Sequence, residues 1–264
     1  MCLLTYYPPA AVPDPIALSY GATTNPHGHG YAVLTDTEII LGHGMAAEPM
    51  IEEFLTVRAR HRHGAALFHS RYATQGAREV GNCHPFPLGG DRRTVLAHNG
   101  TLPKRVHPRA YDPRSDTRIA AEDYLPGSPF GSIDTRRGAR GLSQWLGRSK
   151  LVILTVDPAY QQQAYLFGEH AGTWDDGIWY SNTSYLPPTR RLPEKYRYLC
   201  GYCQRFDVYR TSRYCGDCGW CFACSTPVPD CTCRPPRPCE PGADTSGMTV
   251  ARHRHAAVSS LTQP

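Results

Sequence analysis

The placement of its cysteines constrains this chain more than any other feature. Cys2 and Cys83 stand alone, and the other nine of the eleven fall between positions 200 and 239. At 264 residues the chain can bury a large core and add a small appendage, so it has no need of a disulfide framework. The clustering points to metal. Cys200-Gly-Tyr-Cys203 and Cys215-Gly-Asp-Cys218 are C-x-x-C pairs separated by eleven residues, and Cys221, Cys224, Cys231 and Cys233 follow, with Cys239 left over. That spacing is close to a zinc ribbon or knuckle, and the expected cofactor is Zn(2+), about one or two structural ions. Which cysteines share an ion stays open, because Cys218 and Cys221 are also C-x-x-C spaced. The expected layout is a body over residues 2–185, a Pro-rich linker over 186–198, a Cys-rich module over 199–240 and a disordered tail over 241–264.

The net charge of +5 belongs to the back of the chain, where residues 186–264 hold eleven Lys or Arg against six acids. Phe206, Tyr209, Tyr214 and Trp220 lie among Arg205, Arg210 and Arg213, a mixture suited to base stacking and phosphate contact, so nucleic-acid or protein docking stays a possible use of the module. Two four-thiolate zinc sites, each about −2, would nearly cancel the basic excess. The first thirty residues lack a basic segment followed by an apolar run, and no stretch of eighteen apolar residues occurs. A cytoplasmic protein without membrane contact is expected.

Within the body, apolar runs and punctuation predict an α+β domain. Leu3-Leu4-Thr5-Tyr6-Tyr7 reads as a short buried strand that ends at Pro8-Pro9. Segments 31–35 and 38–41 read as a hairpin around Asp36-Thr37, and 65–72 and 94–98 as further strands, the second ending at Asn99-Gly100. A helix is predicted over 49–63, with acids at its start, Arg58, Arg60 and Arg62 at its end to complement the dipole, and Met50, Phe54 and Val57 facing inward. Ser115 caps a helix over 115–125, another follows over 137–146, and strands are predicted over 150–156, 163–167 and 177–181.

Cys2 becomes N-terminal if Met1 is removed. One residue then supplies both nucleophile and base, since an α-amine of pKa ~8 can take the proton of a thiol of pKa ~8.5. Alone, a cysteine at position 2 is usually just a small buried residue. Its context is more specific: His69-Ser70-Arg71-Tyr72-Ala73-Thr74-Gln75-Gly76, then Asn82-Cys83-His84-Pro85-Phe86, then His98-Asn99-Gly100, then Ser115-Asp116-Thr117. With the opening Met-Cys-Leu-Leu and Asn25-Pro26-His27-Gly28-His29-Gly30-Tyr31, these motifs resemble, in order and spacing, the class II glutamine amidotransferases of the N-terminal nucleophile (Ntn) hydrolases. The resemblance spans residues 2–185.

That resemblance implies a four-layer αββα sandwich in which the Cys2 thiolate attacks the side-chain amide of glutamine, yielding glutamate and ammonia. It implies Asn99 and Gly100 as the oxyanion hole, Arg71 as the clasp of the α-carboxylate, Asp116 as the partner of the α-ammonium, and Thr74 and His84 as pocket lining. The dipeptide Asn99-Gly100 has a plainer reading too, since Asn-Gly is a favoured hairpin turn. His27-x-His29 reads as a loop beside the site, and His61-x-His63 as a basic helix end. Two departures stand out. Many synthases of the family have Gly after the nucleophile where this chain has Leu3. They also carry a domain that consumes the ammonia, and none is legible here, so a separate ammonia-accepting synthetase is the expected partner. A stand-alone amidohydrolase of another γ-glutamyl compound, and a catalytically idle zinc-containing binding module, remain as rival readings.

If the Cys-rich module holds zinc, the purified protein will carry about one or two equivalents by elemental analysis, and a mercurial thiol reagent will release them. Metal-free protein with nine titratable thiols in that module would contradict the expectation.

Overall fold

The structure is a computed structural model and describes residues 2–187 and Cys221. The chain divides into two compact units, residues 1–192 and 193–264, and every element described below lies in the first. The predicted linker over 186–198 beyond residue 187, the tail, and Cys200, Cys203, Cys215, Cys218, Cys224, Cys231, Cys233 and Cys239 lie outside the described residues. Cys221 is buried.

Two antiparallel sheets form the centre. The first, six-stranded, runs in the order β3-β2-β4-β1-β10-β9, and the second, four-stranded, in the order β5-β6-β7-β8. Strand β1 (Leu3–Tyr7) lies between β4 (Ala66–Ser70) and β10 (Ile178–Tyr180). Strands β2 (His29–Leu34) and β3 (Ile39–Gly44) form the expected hairpin, closed where Thr35 N–H donates to Glu38 O at 2.9 Å. In the second sheet β6 (Asp91–Asn99) pairs with β5 (Phe86–Leu88) and β7 (Lys150–Thr155), and β8 (Ala164–Phe167) closes the edge.

Antiparallel strands usually alternate inward apolar and outward polar residues. Here β1, β2 and β4 are buried along their whole length, because both faces are covered. Leu4 and Tyr6 of β1 meet Val95 and Ala97 of β6 and Val152 and Leu154 of β7, filling the space between the sheets. Leu3 and Tyr7 face the other way and pack with helices α1 (Pro15–Thr24) and α2 (Ala47–Arg60). A third cluster joins Leu96, Leu151 and Ile153 to Ala120 and Ala121 of the segment after α3 (Asp116–Ile119) and to Leu142 and Leu146 of α4 (Arg136–Leu146). The layers therefore follow the order helix, sheet, sheet, helix.

Three departures from the sequence reading have clear causes. Helix α1 was not anticipated, although Asp14-Pro15 carries its signature: the Asp14 carboxylate accepts Ile16 N–H at 2.8 Å and Pro15 fits the first turn. Strands β5 and β9 (Thr173–Asp175) are three residues each, too short for a visible period. Arg58 does not serve the helix dipole at the surface. It is buried and donates to the carbonyls of Pro8, Ala11, His61 and Gly64, tying the end of α2 to the loop after β1. The helix capped by Ser115 continues past Ile119 through a wider π-type turn, Ala120–Tyr124, and a tight last turn, Leu125–Gly127.

Phe54 of α2 is fully buried and its ring packs on Tyr7, Tyr31 and Phe68 at centroid distances of 5.3, 5.6 and 5.2 Å. Truncating it leaves a cavity among three strands that cannot collapse onto it. Phe54→Ala should cost about 3–5 kcal/mol in urea unfolding, whereas a loss below about 1 kcal/mol would mean that α2 is not anchored as described.

Candidate active site

Strand pairing builds the site. The last β1–β4 pair is Leu3 with Ser70, so the chains leave the sheet together at Cys2 and Arg71. Tyr72 N–H donates to Cys2 Sγ at 3.3 Å, and the Cys2 thiol donates to Tyr72 O at 3.5 Å. Burial pushes the thiol pKa up, against the Tyr72 backbone hydrogen bond and the positive charge of Arg71. The sulfur therefore rests as a thiol at neutral pH and needs a base to become a nucleophile.

Arg71 is buried, and its guanidinium donates to Gln75 O at 2.7 Å and to Ala77 O at 2.8 Å. These bonds fold the loop of residues 72–79 back onto Arg71 and use two of its five N–H groups. Asn82 fastens the same loop to α3: its amide donates to Ala77 O and Pro113 O and accepts Ser115 N–H at 2.9 Å. Next to Ser115, Asp116 accepts Leu102 N–H at 2.9 Å and Thr117 N–H at 2.8 Å, which fixes its carboxylate.

At the end of β6, Asn99-Gly100 is not a hairpin turn. The chain runs on toward Leu102, and β6 pairs with β5 and β7 instead. Gly100 has φ +148°, and a Cβ there would lie 2.2 Å from Ser149 Oγ, so glycine is required by both conformation and space. Of the seven residues expected to act, Cys2, Arg71, Thr74, His84, Gly100 and Asp116 line one cleft. Asn99 does not. It is buried next to Gly100, with one amide N–H donated to Ser181 Oγ at 2.7 Å.

Histidines fill the space beneath. His84 stacks on His69 with ring centroids 4.0 Å apart and accepts His98 N–H at 3.3 Å. His98 in turn shares a hydrogen bond with Thr117 Oγ1 at 3.0 Å. Burial lowers the pKa of His69 to about 3 and of His98 and His29 to about 4, and takes His84 well below its usual value. His27 accepts Ala73 N–H at 3.0 Å and packs, tilted, on the Tyr72 ring with centroids 4.8 Å apart. His29 is buried beside Ser70. Of the His61-x-His63 pair, His61 is the C-cap of α2 and His63 makes an exposed contact with Asp36.

Sequence reasoning missed Ser181 and Asn182. Asn182 Nδ2 donates to Cys2 O at 2.7 Å, and Ser181 Oγ accepts Leu4 N–H at 2.8 Å. Nothing in local spacing announces contacts that span about 180 residues of chain. Among the described residues no group of three or more His, Cys, Asp or Glu is placed to hold a metal, and no helix is long and apolar enough to cross a membrane.

Residues 19–121 match the family model of class-II glutamine amidotransferases. The amidotransferase match includes Arg71, Thr74, His84, Asn99, Gly100 and Asp116, and Cys2 lies ahead of it. The solved structure of glutamine phosphoribosylpyrophosphate amidotransferase from B. subtilis, complexed with ADP and GMP, is 18% identical, with 68% of this chain and 41% of that one covered and a TM-score of 0.41. The allosteric regulatory enzyme of purine biosynthesis is 21% identical over 59% of this chain and 35% of its own, with a TM-score of 0.39. A glutamine aminotransferase class-II domain protein from Silicibacter pomeroyi is 16% identical over 63% and 87%, with a TM-score of 0.30. The chain thus spans under half the length of the first two. No curated protein sequence matches it.

The buried histidines make stability depend on pH. Each is neutral in the folded protein and titrates near 6.5 once unfolded, so below pH 6.5 the unfolded chain binds more protons. Their contribution is whole above pH 6.5 and is lost as pH falls toward 4. Urea midpoints should fall steadily between pH 6.5 and 5, above the usual carboxylate range, and His69→Gln should make that slope shallower. A flat profile over this window would refute the assignment.

Proposed function

We propose that the protein hydrolyses the side-chain amide of glutamine through Cys2, exposed as the N-terminal residue once Met1 is removed. The observation that carries this reading is the cleft shared by Cys2, Arg71, Gly100 and Asp116, which offers a nucleophile, a cation for an α-carboxylate, a backbone N–H and an anion for an α-ammonium. The class-II amidotransferase match over residues 19–121 supports it independently of that geometry.

In this mechanism the α-amine of Cys2 takes the thiol proton, and the sulfur attacks the side-chain carbonyl carbon of glutamine. The carbonyl π pair moves to oxygen, and the resulting oxyanion is met by Gly100 N–H and by the second amide N–H of Asn99, a residue next to the cleft lining whose first N–H is held by Ser181 Oγ. Collapse expels the nitrogen, which takes the proton from the α-amine and leaves as ammonia. Water then attacks the glutamyl thioester, giving glutamate and restoring the thiol. Burial, which raises the thiol pKa, makes the adjacent base necessary. Arg71 is suited to a carboxylate because its planar fork can donate twice, and Asp116 is held by two backbone N–H groups in a fixed position beside it. Ammonia passes to a separate acceptor enzyme, and the Cys-rich module, with structural zinc, serves docking to it.

Glutamate release from glutamine by the full-length protein tests this directly. Cys2→Ala should fall at least about 10³-fold to background. Arg71→Lys should raise KM about 10- to 100-fold with a smaller change in kcat, since a point charge replaces a fork. Activity of Cys2→Ala equal to wild type would sink the proposal.

A further inference from the structure

The nucleophile and the oxyanion donors stand on different sheets. Cys2 precedes β1 in the first sheet, and Asn99 and Gly100 close β6 in the second. Between them the sheets meet through apolar side chains, Leu4 and Tyr6 against Val95 and Ala97, and through a hydrogen bond from His69 Nε2 of β4 to His98 O of β6 at 3.1 Å. Apolar contact is strong but non-directional, so it cannot by itself hold a sulfur and an amide N–H to the fractions of an ångström that acyl transfer demands. The His69 bond ends on the His98 carbonyl, so a further directional tie has to join the nucleophile strand to the Asn99 amide.

The structure assigns that task to Ser181 and Asn182: we infer that this pair is the positioning element that locks the nucleophile strand to the oxyanion-hole amide. Ser181 follows β10, and its backbone N–H donates to Leu4 O at 2.8 Å while its Oγ accepts Leu4 N–H, also at 2.8 Å. The residue is fully buried and fixed to β1 at two points. The same Oγ accepts Asn99 Nδ2 at 2.7 Å. A serine oxygen has two lone pairs, and both are spent, one on each sheet. An amide group is planar, so anchoring one N–H of Asn99 also sets the direction of the other. Asn182 completes the bracket by donating from Nδ2 to Cys2 O at 2.7 Å while its Oδ1 accepts Ser184 N–H at 2.9 Å. The peptide carrying the nucleophile is thus gripped on its carbonyl by Asn182 and, two residues on, by Ser181.

The inference rests on the glutaminase reading, and a double-mutant cycle on the full chain separates the two. Ser181→Ala should lower kcat for glutamine about tenfold or more, change KM less than about threefold, and leave alkylation of Cys2 by iodoacetamide within about twofold of wild type, because that displacement forms no oxyanion. In an Asn99→Ala background, Ser181→Ala should cost little further, since the serine acts through the amide already removed. Should Ser181→Ala not fold, Ser181→Thr and Ser181→Val, matched in size and differing in the hydroxyl, make the same comparison: the threonine variant retains kcat and the valine variant loses it. Equal kcat in wild type and Ser181→Ala, equal kcat in the Thr and Val variants, an undiminished loss in the Asn99→Ala background, or alkylation falling in step with kcat would each overturn the positioning role. A wild-type protein that alkylates at Cys2 yet releases no glutamate overturns the glutaminase reading beneath it.

Discussion

The register between β1 and β4 underlies the rest of the structure. Five consecutive pairs, from Leu3 with Ser70 to Tyr7 with Ala66, bring residue 2 against residues 71 and 72, far away in sequence. The pairing is strongly specified because both faces are buried. Moving β1 by one residue would drive Leu3 and Tyr7 from the α1–α2 side into the gap between the sheets and send Leu4 and Tyr6 outward. The apolar alternation that stabilises the sandwich is therefore also what aims the thiol, and the site inherits its precision from the core.

The site itself is expensive in stability. Arg71, His69, His84, His98, Asn99 and Asp116 are all buried, and a buried polar group costs free energy unless it is hydrogen-bonded. The fold meets most of this cost with backbone partners: carbonyls for Arg71, N–H groups for Asp116, a carbonyl for His69. Two nitrogens, His69 Nδ1 and His98 Nε2, have no hydrogen-bond partner among the described residues. Burial keeps their rings neutral, which leaves positive charge in the cleft on Arg71, while the neutral His84 ring accepts His98 N–H.

Much of the arrangement was legible beforehand, for identifiable reasons. Strand β1 is a short run of Leu and Tyr about Thr5, ended by two prolines, and Ser115 carries a capping hydroxyl three residues before the N–H it accepts. Both are local signals. Arg71, Gly100 and Asp116 stood out because motif order and residue chemistry agreed, and they share one cleft. Arg58 was misread because a basic residue near a helix end fits the dipole equally well whether buried or exposed; only the loop after β1, folded back onto α2, supplies two of its four carbonyls, those of Pro8 and Ala11, beside His61 and Gly64 just after the helix. Asn99 shows the same limit. Its type and place in the sequence suggest an oxyanion donor, but nothing near it in the chain indicates the serine that holds its amide.

The sequence by itself determined most of the longer strands and helices, though not α1, β5 or β9, and the division of the cysteines between Cys2 and Cys83 and the back of the chain; the order of motifs around Arg71, Asn99-Gly100 and Asp116 gave the resemblance from which a nucleophile and an α-amino-acid clasp are expected. The elements follow from periodicity and capping chemistry, which act within a few residues of one another, and the site expectation from motif order. Tertiary structure alone decided which face each strand buries, that Asn-Gly closes a strand instead of turning a hairpin, that four histidines are neutral, and that Ser181 and Asn182 stand beside Cys2. Those outcomes depend on contacts between residues far apart in the chain, where hydrogen-bond direction and exclusion of water exist only after the two sheets have closed on one another.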